Sequence, residues 1–73
     1  MITLKDIVEA EIATRKAGDV WIAAKQRSED LTLDRRVRVE AGLEELDARE
    51  ALTAASERFR AVLAQAVRED VDP

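Results

Sequence analysis

Cysteine and histidine are both absent from this chain of 73 residues. Without cysteine the chain can form neither a disulfide nor a thiolate ligand, and without histidine it lacks the commonest transition-metal ligand and the usual base at neutral pH. A domain this small gains only about 3 to 5 kcal/mol from one core, and natural examples add disulfides, a metal or a partner. The composition therefore favours a partner chain as the missing support, and we expect no metal and no cofactor.

Glycine, proline and aromatic residues are scarce. The chain has two glycines (Gly18 and Gly42), one proline (Pro73) and two aromatic residues (Trp21 and Phe59). A phosphate-binding loop needs several glycines at fixed spacing, so we expect no nucleotide and no other small-molecule substrate. The serines have no histidine to activate them. We therefore predict that the protein has no catalytic residues and is not an enzyme.

Long apolar runs are absent as well. No stretch approaches the roughly 20 apolar residues of a membrane span. The first residues, MITLKDIVEAEIA, carry acidic side chains and have no basic start, unlike a signal peptide. The net charge of -4 argues against general affinity for nucleic acid. We predict a soluble protein of the cytoplasm, or of a particle assembled there, whose partners are proteins and not membranes or nucleic acid.

Charged residues are abundant, at 38% of the chain. The basic patch formed by Arg35, Arg36 and Arg38 has no interleaved aromatic residues, so we interpret it as a set of ion-pair partners, for example Arg36 with Glu40 at the i,i+4 spacing of a helix. Glu44 interrupts an otherwise apolar helix face. We expect it to meet an arginine or to set the packing register.

The remaining sequence is typical of helices. Thr3 and Asp6 have the spacing of a capping box, which marks a helix start. A later stretch rich in Ala, Arg, Glu and Leu favours one long helix. The predicted segments are a helix at 4–27, a connector at 28–32, a second helix at 33–69 and a frayed acidic tail at 70–73. The chain is thus predicted to be one small all-α domain, a helical hairpin with a long second helix.

Apolar residues in both helices predict coiled-coil-like packing. In the first helix, Ala10, Ala13, Ala17, Val20 and Ala24 recur at spacings of three and four, so we expect a close helix contact there, with the Trp21 ring over the shallow groove that alanines leave. The second helix shows an eleven-residue repeat, which predicts a straight or slightly right-handed packing line. That face comprises Leu33, Val37, Ala41, Glu44, Ala48, Leu52, Ala55, Phe59, Val62, Leu63 and Ala66. Two further apolar stripes lie off these faces, one at Leu4, Ile7, Val8 and Ile12 and one at Val39, Leu43 and Leu46.

The two predicted helices differ in length. At 1.5 Å per residue the second would span roughly 55 Å and the first about 36 Å. In an antiparallel hairpin the first helix would then leave Phe59, Val62, Leu63 and Val67 uncovered, which predicts an oligomer or docking on a larger assembly. The predicted protein-interface residues are Ala10, Ala13, Ala17, Trp21, Leu52, Phe59, Val62 and Leu63.

A second layout fits residues 31–41. Their sequence, LTLDRRVRVEA, alternates apolar and polar residues as a strand does, and VWI before it is β-branched and aromatic, so residues 20–41 can be interpreted as a β-hairpin between two helices. With its basic and apolar DRRVRV segment, this layout resembles the small phage head-to-tail joining proteins. The resemblance implies a phage structural protein.

Two functions follow from these patterns. The first is a non-catalytic structural or adaptor subunit that acts through helix packing, for example in a virion or another multi-subunit complex. The second is a small acidic inhibitor or antitoxin-like protein that masks a basic partner. High salt should spare the first kind of contact and weaken the second.

Overall fold

Two helices make up nearly all of the structure. A computed structural model describes residues 1–71, which form α1 (Leu4–Glu29) and α2 (Arg35–Val71), packed against each other as a hairpin of 59 × 15 × 12 Å. The all-α hairpin with a long second helix is therefore confirmed. The β-hairpin layout is wrong, since the described residues contain no strand and residues 20–29 and 35–41 are helical. Helix propensity outweighs the local alternation, helped by pairs such as Arg36 and Glu40 at 3.3 Å.

The capping box predicted at the start of α1 is present. The Asp6 N–H donates to Thr3 Oγ1 at 3.2 Å, and the Thr3 N–H donates to Asp6 Oδ2 at 2.9 Å. These bonds favour the ionised carboxyl group, so they lower the pKa of Asp6 from 3.8, with the Thr3 backbone N–H as the main cause and the Thr3 side chain as the second. The first helix therefore begins where its cap places it, at Leu4.

The connector lies two residues later than the sequence predicted, at residues 30–34. Asp30 Oδ1 accepts hydrogen bonds from the Thr32 hydroxyl at 2.6 Å and from the Thr32 N–H at 2.9 Å. The same two bonds lower the pKa of Asp30, the side-chain bond more than the backbone bond. Because Thr32 closes this turn, it does not cap the second helix, which starts at Arg35 and not at Leu33.

The other end of α2 also differs from its prediction. Asp70 and Val71 continue the helix where we expected a frayed tail at 70–73, and Asp72 and Pro73 lie outside the described residues. Glu69, in the last turn of α2, accepts the Ile2 N–H at 2.8 Å and 3.1 Å on its two oxygens. The start of the chain thus contacts the last turns of α2.

The helices meet along a seam of buried and half-buried side chains. In α1 the seam comprises Ile7, Ala10, Thr14, Ala17, Trp21, Ala24 and Ser28, and in α2 it comprises Arg38, Ala41, Glu45, Ala48, Leu52, Ala55, Phe59, Val62, Ala66 and Glu69. These positions alternate at three and four residues, a seven-residue repeat that favours a left-handed supercoil. The predicted eleven-residue repeat is wrong, because it includes Val37, Glu44 and Leu63, which lie off the seam and are exposed.

Polar contacts fix the register of the seam. The Thr14 hydroxyl shares its proton between the Ala10 carbonyl oxygen of its own helix at 2.9 Å and the Ala55 carbonyl oxygen of α2 at 3.3 Å, and Arg27 forms an ion pair with Glu44. Repeating this register along both helices puts three of the large seam side chains opposite alanines. Ala10 then lies opposite Phe59, Ala17 opposite Leu52 and Trp21 opposite Ala48. The indole therefore occupies space that two facing alanines would leave empty.

The expected overhang of α2 is not found at its C-terminal end. Because Ile2 bonds to Glu69, α1 and the residues before it extend along α2 to its last turns, and Phe59 and Val62 are half-buried in the seam. With Thr14 opposite Ala55, the extra length of α2 is divided between its ends: residues 35–39 lie beside the connector, and residues 66–71 lie beside the residues that precede α1. Leu63 (40% exposed) and Val67 (61% exposed) are exposed because they lie to one side of the seam and not in it.

The core of the single chain is thin. Its buried residues are Ala10, Ala24, Ala41 and Ala48, and no large side chain among the described residues is fully buried. Alanine removes little apolar surface from water, at about 25 cal/mol per Å². The small residues do let the helix backbones approach closely. A larger side chain at such a position would therefore force the helices apart.

We predict that Ala24→Leu destabilises the hairpin. Ala24 is 1% exposed in the seam, so a leucine there overpacks the contact and should lower the free energy of unfolding by about 1 to 3 kcal/mol. Urea unfolding followed by circular dichroism measures this. Ala23→Leu is the matched control, because Ala23 is exposed on the same helix turn and should tolerate leucine. Equal stability of the two variants would contradict a closely packed seam.

We also predict that Thr3→Ala destabilises α1 and raises the pKa of Asp6 towards 3.8, because the Thr3 side chain is one cause of its lowering. Loss of the cap should cost about 1 kcal/mol at neutral pH. The Asp6 contribution is present above its ordinary pKa and is lost as pH falls through the lowered one, so the difference between the two proteins should shrink in acid. NMR titration and urea unfolding at several pH values provide the measurements. An Asp6 pKa unchanged by the substitution would contradict the assignment.

Candidate protein-interaction surfaces

The accessible surface of the chain is larger than that of a compact protein of the same mass. Its accessible area is 5870 Å² at 8.1 kDa, whereas a compact globular protein of that mass exposes about 4500 Å². Its radius of gyration is 16.7 Å, compared with about 11 Å for a compact domain of this length. A two-helix hairpin has one internal contact and no second layer. About 1400 Å² of each chain is thus surface that a globular domain would have covered.

Large apolar side chains are concentrated on one side of the hairpin. Eleven of them on the described helices are exposed, with exposed fractions from 40% to 76%. Seven of them lie beside one edge of the seam, in two rows of each helix. In α1 this edge is formed by Ile7, Thr14 and Trp21. We call this side the apolar flank; its large residues are Leu4, Val8, Ile22, Val39, Leu46, Leu63 and Val67. Ile12 and Leu43 lie on the outer surfaces of the two helices.

The opposite side, which we call the alanine flank, has a different character. Arg27 and Glu44 pair across it, which shows that the rows containing them lie on the same side of the hairpin. A shallow groove on this flank is lined by Ile2, Asp6, Glu9, Ala10, Ala13, Ala54, Ala55, Arg58 and Val62. The exposed large apolar residues of this side are Val20 and Val37. Small and charged side chains therefore dominate the alanine flank.

The interface residues predicted from the sequence fall into two groups. Six of them lie in the seam, between the helices of one chain: Ala10, Ala17, Trp21, Leu52, Phe59 and Val62. The other two are exposed, Ala13 on the alanine flank and Leu63 on the apolar flank. The predicted set thus describes mainly the internal contact of the hairpin. Most of the apolar flank was missed, although the stripes at 4–12 and 39–46 were visible in the sequence. Only the seam register shows that parts of both stripes share one side.

Trp21 has an unusual environment. Its ring is half-buried, and its Nε1 atom is buried with no hydrogen-bond partner among the described residues. Lys25 Nζ lies 5.3 Å from the ring centroid, a distance at which the ammonium group is attracted to the aromatic face. The indole therefore contributes apolar bulk and a cation contact, while its N–H group contributes no bond.

The charged groups form short-range pairs. Four ion pairs join residues four apart on one helix: Lys5–Glu9, Glu11–Arg15, Arg36–Glu40 and Glu45–Arg49. Arg27–Glu44 and the N-terminal amine with Glu69 link different parts of the chain. The expected pairing of Arg36 with Glu40, and of Glu44 with an arginine, is thus confirmed. Within residues 1–71 no group of three or more acidic side chains could hold a metal ion. The resolved pKa shifts, at Asp6 and Asp30, both come from local turn or cap bonds.

Neither helix, over the part of the chain that the structure describes, is apolar enough along its length to cross a bilayer. Comparison of the chain with models of protein families, with curated proteins and with solved structures finds no match. Its function is therefore inferred from the seam and the two flanks.

We predict that Trp21→Phe is much less harmful than Trp21→Ala. Phenylalanine keeps most of the apolar bulk opposite Ala48 and removes an N–H group that has no partner, whereas alanine leaves a cavity. Trp21→Ala should cost roughly 2 to 3 kcal/mol of unfolding free energy, less than truncation of a fully buried tryptophan, and Trp21→Phe under half of that. Urea unfolding of the three proteins measures the difference. Equal losses would contradict this account, because they would show that a phenyl ring does not replace the indole at this position.

Proposed function

We propose that this protein is a non-catalytic structural or adaptor subunit that acts by packing its helix surfaces against protein partners. The observation that supports the proposal is the contrast between core and surface. The buried residues are alanines, while eleven large apolar side chains of the described helices are exposed. Exposed apolar patches bordered by polar residues are typical of protein interaction sites.

The energetics of the hairpin favour coupled folding and association. One seam of small residues stabilises a single chain only weakly, since domains of this size are marginal even with an ordinary core. A partner that binds the folded hairpin but not the unfolded chain adds its binding free energy to the stability of the fold. The proposed subunit would thus be most stable inside its assembly.

The second candidate, an acidic protein that masks a basic partner, has weaker support. The net charge of -4 is modest. Glu9, Glu11, Glu40, Glu44, Glu45 and Glu69 are each within ion-pair distance of a positive group of the same chain. A basic partner would have to compete with these pairs. Apolar packing is therefore the better supported mode of binding.

The size of the native assembly tests this function. We expect a tagged chain of 8.1 kDa, extracted from its source cells, to elute in size-exclusion chromatography far earlier than a single extended hairpin with a radius of gyration of 16.7 Å would. The elution position should persist at high ionic strength, because apolar contacts are not screened by salt. Elution as a free chain at low and high salt would contradict the proposal. An assembly that dissociates as salt rises would support the acidic masking protein instead.

A further inference from the structure

Both glycines of the chain lie inside helices, where glycine is less favourable than alanine. Neither has a positive φ, so the backbone does not require them. A Cβ atom added at Gly18 would meet Leu52 Cδ1 at 3.9 Å, an ordinary contact, and one added at Gly42 would meet nothing within 4 Å. The fold of a single chain therefore has room for a side chain at either position.

The glycines share one side of the hairpin. Gly18 follows Leu4 by two seven-residue repeats, and Gly42 precedes Leu63 by three, so all four lie in the rows that border the seam on the apolar flank. Leucines project from this flank, and the glycines leave hollows in it. A surface with projections and hollows at a regular spacing is suited to receive another helix closely.

We propose that the apolar flank is the contact surface for a second copy of the same chain, which completes a four-helix bundle. This inference rests on the proposed function and names its partner. The area allows such a contact, because the excess of about 1400 Å² belongs to the whole hairpin, and burial of the roughly 800 Å² per partner of a standard interface would remove only part of it. Two-fold pairing also lets each copy cover the same residues on the other.

The charges on this flank suit contact with a copy. Its two apolar patches, near the chain start and near the connector, are separated by polar and charged residues that include two ion pairs, the second of them formed with the seam residue Glu45. Glu11 and Arg15 are 2.6 Å apart, and Glu45 and Arg49 are 3.4 Å apart. Each pair offers both signs to the same pair on a second copy, so these two pairs can meet their copies without opposing charges of one sign.

Two double variants test the surface. Val8→Glu with Leu46→Glu changes the apolar flank, and Val20→Glu with Val37→Glu changes the alanine flank by the same charge at similarly exposed positions (42% and 54%, against 60% and 43%). Sedimentation equilibrium of the full chain should show a dimer for the wild type and for the alanine-flank variant. The apolar-flank variant should dimerise at least about 100-fold more weakly.

Gly42→Leu supplies a second measurement. The site is open in the single chain, so the variant should keep its helix content by circular dichroism, while leucine fills the hollow and weakens dimerisation at least about 10-fold. Gly42→Ala, which adds a single methyl group, is the conservative substitution at the same position. Dimerisation unaffected by leucine would overturn the assignment of the glycines.

Three outcomes would overturn the dimer proposal: a monomeric wild type at high protein concentration, equal weakening by both double variants, or a dimer that resists the apolar-flank substitutions. These outcomes are separable from failure of the proposed function. A chain that is monomeric when pure, yet elutes from cell extract in a large, salt-resistant assembly, would retain the subunit role and lose the second copy as its partner.

Discussion

The structure depends on one constraint: two helices in contact can cover only one stripe of each other. Here seven of the seventeen seam residues are alanine, and the bulkier apolar members are Ile7, Trp21, Leu52, Phe59 and Val62. Small residues bring the helices close together, and the contact is narrow as a result. Every apolar residue outside the stripe remains exposed unless something else covers it. The thin core and the apolar flank are thus two results of the same geometry.

The sequence was sufficient for the fold class because its local signals agree with one another. Thr3 and Asp6 mark the first helix start, and the absence of internal proline with high helix propensity explains one long second helix. The connector was harder, because Thr32 is equally suited to cap a helix or to close a turn around Asp30. In the structure Thr32 donates both hydrogen bonds to Asp30, so it closes the turn and does not cap α2.

The candidate surface was much less predictable. When a helix has apolar residues on more than one side, its sequence fits more than one apolar repeat. In α2 the apolar residues fit an eleven-residue repeat as well as the seven-residue repeat of the seam. Leu63 and Val62 are neighbours in sequence, yet one is exposed on the apolar flank and the other is half-buried in the seam. Which of them faces the partner helix depends on the register, and the contact between Thr14 and Ala55 that indicates it joins residues 41 positions apart. No local pattern contains that information.

The hydrogen bond between Ile2 and Glu69 places the start of the chain beside the end of α2, so the two ends of the rod differ. Both ends of the described chain leave the hairpin at one tip, and the connector forms the other tip of a rod 59 Å long. Anything attached through either end, whether a neighbouring domain, a label or a solid support, would hold the rod by the same tip and leave its long sides open to neighbours. An attachment of this kind would hold the hairpin at one end of its long axis and leave the turn at Asp30 as the free end.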